Sequence, residues 1–231
     1  MKFKALGMIV ALFWSTHALA IPVTVEAGGT GNYYDYTNNA YHYDAQIVQT
    51  WTFDTIDLPA DSISDSNIGY HQSLTDWVDA TVSVSTHGVT ANEEAMTNDN
   101  AAYDYDYVYM EDGRYARDRY QVYSHARNND AYVYSYAYFI EYVEDLVQGM
   151  NVAQNIHWID NDGSDHGYGY ARWYTLSGGQ YATNAYVSYR ADYFKVTVGT
   201  ATVPEPGTFV LMLIGAAALL GFRRLRAQTQ R

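Results

Sequence analysis

The chain has 231 residues, no cysteine, and 26 Asp and Glu against 13 Lys and Arg. Without thiols it has no disulfide staple, no thiolate nucleophile and no thiolate metal ligand, so its stability must come from a packed core. The excess of acid excludes nucleic acid and anionic lipid as partners for the bulk of the chain.

The first element is a targeting segment. Lys2 and Lys4 precede an apolar run, ALGMIVALFW, and Ala18 and Ala20 then occupy small-residue positions before a cut after Ala20. Residues 1–20 read as a secretory signal peptide, because the apolar run is too short to span a bilayer. The exported part begins near Ile21. Seven of the basic residues and all 26 acids lie between residues 21 and 205, so that part carries a net charge of −19. Its length suits a single domain, 21–202, burying roughly 70% of its unfolded surface.

Strand patterns fill this domain. PVTVE (22–26) comes first, followed by 46–56 and 77–85. Tyr103, Tyr105, Tyr107 and Tyr109 alternate strictly, and so do Tyr132, Tyr134, Tyr136 and Tyr138. A period of two places these rings on one side of a strand, and tyrosine favours strands. Further strands are expected at 119–126, 152–159, 168–176 and 185–198. Turn-forming stretches such as GGTGN, EDG, RNND, DNDGSDHG and LSGG separate them. The expected fold is all-β: an antiparallel β-sandwich of jelly-roll-like type, with no helix in the exported domain. Asp104 and Asp106 share a strand with four tyrosines. Because aspartate rarely buries unpaired, the tyrosine side is expected to be the inner or half-buried one. The strand beginning at Ala131 is apolar on both faces, which predicts a central strand covered on both sides, with a bend near Glu141.

The chain ends VPEPGTFVLMLIGAAALLGFRRLRAQTQR. Thr208–Phe222 would span only ~22 Å as a helix, against a hydrocarbon core of ~30 Å. Arg223, Arg224 and Arg226 would stay in the cytoplasm. Pro204 and Pro206 prevent a helix from running back into the domain, leaving an extended, accessible peptide at the membrane face. A transmembrane helix flanked in this way has the layout of a sorting tag that is held and then cut. The order of its parts resembles the PEP-CTERM sorting signal: Val203, Pro204, Glu205 and Pro206, then a short Leu/Gly/Ala helix, then the arginines. The resemblance covers residues 203–231. It implies a Gram-negative bacterium, an exosortase-type enzyme cutting near Pro-Glu-Pro, an inner-membrane intermediate, and release to the cell surface or extracellular matrix alongside exopolysaccharide of a biofilm. The body of the domain resembles no family.

Motifs for catalysis are missing. There is no Gly-X-Ser-X-Gly elbow, no His-Glu-X-X-His and no glycine-rich phosphate loop, and the histidines show no tight ligand spacing. No catalytic residue is assigned, and the chain is read as non-enzymatic. A polysaccharide hydrolase or lyase is the alternative that a carboxylate-rich chain keeps open. Calcium is the one cofactor considered: Asp160, Asp162 and Asp165 alternate around Gly163, although a polar hairpin turn explains the same residues. Trp51, Trp77, Trp158 and Trp173 are candidates for stacking on sugar rings, with core packing as the competing role. The tyrosines are too many for one core, so some must face solvent as a binding or cohesion surface. A charge of −19 points to neutral glycans, or to acidic ones bridged by calcium. The alternative is a structural matrix protein that self-assembles through its tyrosine strands.

Overall fold

The alternating segments become strands that pair into one antiparallel sheet. The computed structural model describes residues 20–63, 65–93, 103–113, 116–160 and 165–200. Most of the signal peptide with Ala18, the tail from Val203 to Arg231 and Asp162 lie outside these residues. The strands are β1 (Pro22–Asp35), β2 (Ala40–Asp54), β3 (Ile68–Ser73), β4 (Asp79–Val84), β5 (Val89–Asn92) and β6 (Tyr103–Asp104). They continue with β7 (Asp106–Glu111), β8 (Asp118–Arg127), β9 (Ala131–Glu141), β10 (Ile156–Ile159), β11 (His166–Ser177) and β12 (Gln180–Val198). The helical content among the described elements is one 3-10 turn, Ser85–His87.

The all-β, antiparallel expectation holds, but the division into two sheets does not. Hydrogen bonding runs through a single sheet in the order β3-β7-β8-β9-β11-β12-β1-β2-β4-β5, with β10 added to β12 and β6 to β8. The sheet curls on itself instead of stacking on a partner. Gln49 of β2 donates across the interior to Ser135 Oγ of β9 (2.8 Å) and to the Tyr170 carbonyl (3.2 Å). These strands lie several positions apart in the sheet order, so only curling brings them face to face. The physical reason is strand length. The long strands β1, β2, β11 and β12 pair along nearly their whole lengths, and the twist of such pairs accumulates into a curl.

The core lies inside the curl, on one face of every strand. Its largest buried side chains include Trp51, Trp158, Tyr120, Phe139 and Phe194. Phe139 stacks on Trp158 at 5.7 Å and meets Phe194 edge-on at 5.2 Å. The GGTGN stretch, which reads as a turn, lies inside β1. Here glycine serves close packing. A Cβ on Gly31 would lie 2.4 Å from the Tyr189 Cβ, and one on Gly169 of β11, on the other side of β12, would lie 2.1 Å from the Tyr189 ring. Tyr189 is thereby bedded between strands, with its hydroxyl on the Ala27 carbonyl at 3.1 Å. The LSGG stretch does make a hairpin turn: Gly178 and Gly179 both have positive φ, as the tight turn joining β11 to β12 requires.

Two burial expectations are corrected. In β7 it is Asp106 that faces the core, while Tyr107 and Tyr109 face outward. Burial is tolerated because Asp106 accepts backbone N–H groups from Trp77 and Val78, both at 3.0 Å, and from His125 at 3.4 Å. β9 is central, but the core covers only its Ala131, Val133, Ala137 and Phe139 side; its tyrosines stay half-buried on the other. The strand ends at Glu141 and the chain bends over residues 142–144, as expected near Glu141, where the Glu141 carboxylate accepts the N–H groups of Val143 (2.7 Å) and Glu144 (3.1 Å).

Candidate functional site

The face opposite the core is paved with tyrosine. Register produces it, because residues paired across strands point to the same side. Tyr107 pairs with Tyr123, Tyr123 with Tyr136, Tyr136 with Tyr170, and Tyr34 with both Tyr186 and Tyr41. Period-two tyrosines on successive strands therefore merge into one surface.

The rings touch in an unbroken line across eight neighbouring strands. From Tyr70 on β3 the centroid steps are 5.5 Å to Tyr107, 4.6 Å to Tyr123, 5.1 Å to Tyr134 and 5.7 Å to Tyr170. The line continues by 6.1 Å to Tyr186, 5.8 Å to Tyr34, 5.4 Å to Tyr41 and 4.5 Å to Tyr43. Each step is in the range of stacked or edge-on aromatic pairs. Side branches add Tyr132 and Tyr174, stacked at 5.2 Å with a 6° interplanar angle, and Tyr181 at the end of that branch. Tyr43 is the most open of the described tyrosines, 73% exposed.

The phenols at the centre of the face, Tyr107, Tyr123, Tyr134 and Tyr136, are neutral at physiological pH. Burial among neighbouring rings raises the pKa of Tyr123, Tyr134 and Tyr136, with further elevation from nearby tyrosines. Burial likewise pushes Tyr107 up to about 12. The face thus offers flat apolar rings with hydroxyls that donate and accept. Tyr70 and Tyr105 share a hydroxyl–hydroxyl bond of 2.9 Å, and Tyr105 donates to Gln72 Oε1 at 2.8 Å. His125 lies among the rings, 5.0 Å from Tyr103 and 5.2 Å from Tyr132. Burial and then the Arg127 charge lower its pKa.

The four tryptophans stand elsewhere. Trp51, Trp77, Trp158 and Trp173 are all core residues, from 0% to 7% exposed, so none presents a ring face to a sugar. The reason is parity: Trp51 and Trp173 occupy strand positions that alternate with the outer ones, and Trp158 does so on β10. Rings open to solvent are tyrosines instead.

The proposed calcium loop is only partly within the described residues. Asp160 pairs with Arg190 at 2.5 Å, and the buried Asp165 accepts the Tyr142 N–H at 3.1 Å. Carboxylates do gather elsewhere: Asp112, Asp118 and Asp145 bring oxygens within 4.8 Å of one another. Two of them already fasten loops. Asp118 accepts from Gly113, Leu146 and Val147, and Asp112 from Gly149.

Arginines on the outer face are the feature that sequence reading missed. Arg119, Arg127 and Arg172 alternate into the tyrosine side of β8 and β11. Arg119 lies over the rings of Tyr109 and Tyr138, 5.2 Å from each centroid. Their parity with the tyrosines was the available signal, but bulk charge obscured it.

Comparison with known proteins places residues 202–226 in the PEP-CTERM protein-sorting motif. No curated protein and no solved structure matches the chain.

Proposed function

We propose that this chain, exported and sorted through its PEP-CTERM motif to the surface of a Gram-negative cell, is a non-enzymatic matrix protein whose tyrosine face lies against exopolysaccharide. The sorting motif itself implies an exported substrate of an exosortase-type enzyme. On this reading the short hydrophobic segment 208–222 holds the chain in the inner membrane, with Arg223, Arg224 and Arg226 inside, until it is cut near Val203-Pro204-Glu205-Pro206.

The observation that carries the reading is the continuous outer line of rings from Tyr70 to Tyr43. Sugar rings have apolar C–H faces that stack on phenol rings, while their hydroxyls reach the phenol oxygens. The line crosses the strands, so an extended polymer finds several rings in succession, each preset by its strand at little entropic cost. Binding at many weak sites along one chain suits a matrix that is permanent overall and labile locally.

The test is co-sedimentation of the purified protein with exopolysaccharide from the producing organism. Saturable binding is expected, weakened about tenfold when Tyr134 and Tyr170 are both changed to Ala. Tryptophan emission should hardly move, because every described tryptophan is interior. Absence of binding with and without calcium refutes the reading. Sedimentation of the protein alone turns it toward self-assembly.

A further inference from the structure

Bulk charge directs this protein away from acidic partners, yet the outer face has its own charge balance. Outward positions of β3, β7, β8, β9 and β11 carry one carboxylate, Glu111. It is buried, and it is occupied by Arg117 at 2.9 Å and by the Tyr109 hydroxyl. Every other acid on these five strands, among them Asp106, Asp118 and Glu141, turns to the core side. The same outward positions carry Arg119, Arg127, Arg172 and His125.

Arg127 and Arg172 are the exposed pair. Arg127 lies opposite Tyr132 and Arg172 opposite Tyr134, so β9 runs between them with its half-buried rings on the same side. Two strand spacings across and one pleat along put their Cα atoms ~12 Å apart, within converging reach of two arginine side chains. Beside them is the flattest stack on the face, Tyr132 on Tyr174, with Tyr174 two residues from Arg172 on β11. Beside Arg127 an open depression of about 630 Å³ is lined by Tyr103, His125, Asn128 and Asn129. Asn128 holds its own hairpin by accepting from Asp130 and Ala131.

We propose that this corner is a subsite for a carboxylate-bearing sugar: the uronate ring packs over the edges of the Tyr132–Tyr174 stack, and its carboxylate is taken by Arg127 or Arg172 without a bridging metal ion. Planar guanidinium groups match carboxylates in two-point contact, and the outward strand positions around them carry no acid besides Glu111, which Arg117 already occupies. With a screening length of about 8 Å in physiological salt, most of the domain's acids contribute little here, the exposed Asp130 three residues from Arg127 being the near one. The proposal rests on the polysaccharide reading above and specifies its ligand as acidic and directly bound.

The experiment uses the full chain in detergent, with chelator present. Oligomers of two uronate polymers, polygalacturonate and alginate, are titrated by calorimetry beside their methyl esters, which keep the rings and remove the charge. Acid forms are expected to bind about tenfold more tightly than esters. Raised salt and the double change Arg127→Gln with Arg172→Gln should each erase that advantage while the esters bind as before. Equal binding of acid and ester overturns the subsite but leaves the tyrosine platform standing. Binding of neither overturns both. Acid binding that appears only when calcium replaces chelator overturns the direct contact, and salt-sensitive self-association without sugar assigns the arginines to a second copy of the chain.

Discussion

Changing Asp106 to Asn should make this protein more stable in alkali than the natural chain. Asp106 is 1% exposed and sits where β7 meets the segment leading into β4, accepting the Trp77, Val78 and His125 N–H groups. Burial is the largest influence on it and outweighs those bonds; with the Asp76 charge adding to the rise, its pKa is about 7. An unfolded aspartate titrates near ~3.9. The folded state therefore binds the extra proton, and its contribution is complete below the unfolded pKa and lost as pH rises through 7. Between pH 5 and 8.5 the loss amounts to about 2–3 kcal/mol. Asparagine resembles the protonated acid: its carbonyl can still accept from Trp77 and Val78, and only the long bond to His125 is forfeited. Urea unfolding of both proteins at several pH values measures the effect. The stability difference should move in favour of Asp106→Asn by about 2–3 kcal/mol from pH 5 to 8.5. Subtraction removes contributions from acids remote from Asp106 but not that of buried Glu93, whose pKa is raised first by burial and then by the Asp106 charge, and which shifts the difference in the same direction. A difference that stays flat across this range refutes the reasoning.

Gly169→Ala should cost about 1–3 kcal/mol in urea unfolding, because its methyl group meets the buried Tyr189 ring, and a neutral result would show that the ring can move aside. Phe139→Ala should cost about 3–5 kcal/mol, whereas Tyr43→Ala should change stability by less than about 0.5 kcal/mol, since one ring is interior and the other largely in solvent; denaturation midpoints compare them. Replacing Pro204, Glu205 and Pro206 with Ala should leave full-length chain in the inner membrane and deplete the surface form, as read by fractionation and intact mass.

The all-β class and most strands were legible because alternation has one physical cause, the pleat, and needs no distant residue to reveal it. The sorting tail was legible for a similar reason, since a proline pair, an apolar run and an arginine cluster act in sequence order. Local chemistry also placed the hairpins at Asn128–Asp130 and Gly178–Gly179. Alternation alone does not say which of its two faces turns inward. Asp106 went to the core because Trp77 and Val78, nearly thirty residues away in the chain, bring it N–H groups. GGTGN became strand because its glycines leave the space into which the Tyr193 ring and the β12 backbone at Ser188–Arg190 pack. The tryptophans became interior, the tyrosines formed a line and the arginines gathered on one face through register between strands remote in sequence. Composition determined what this protein is made of and where it is sent. The curled sheet decided which side chains it shows, because burial and charge on a surface depend on the strands that lie side by side.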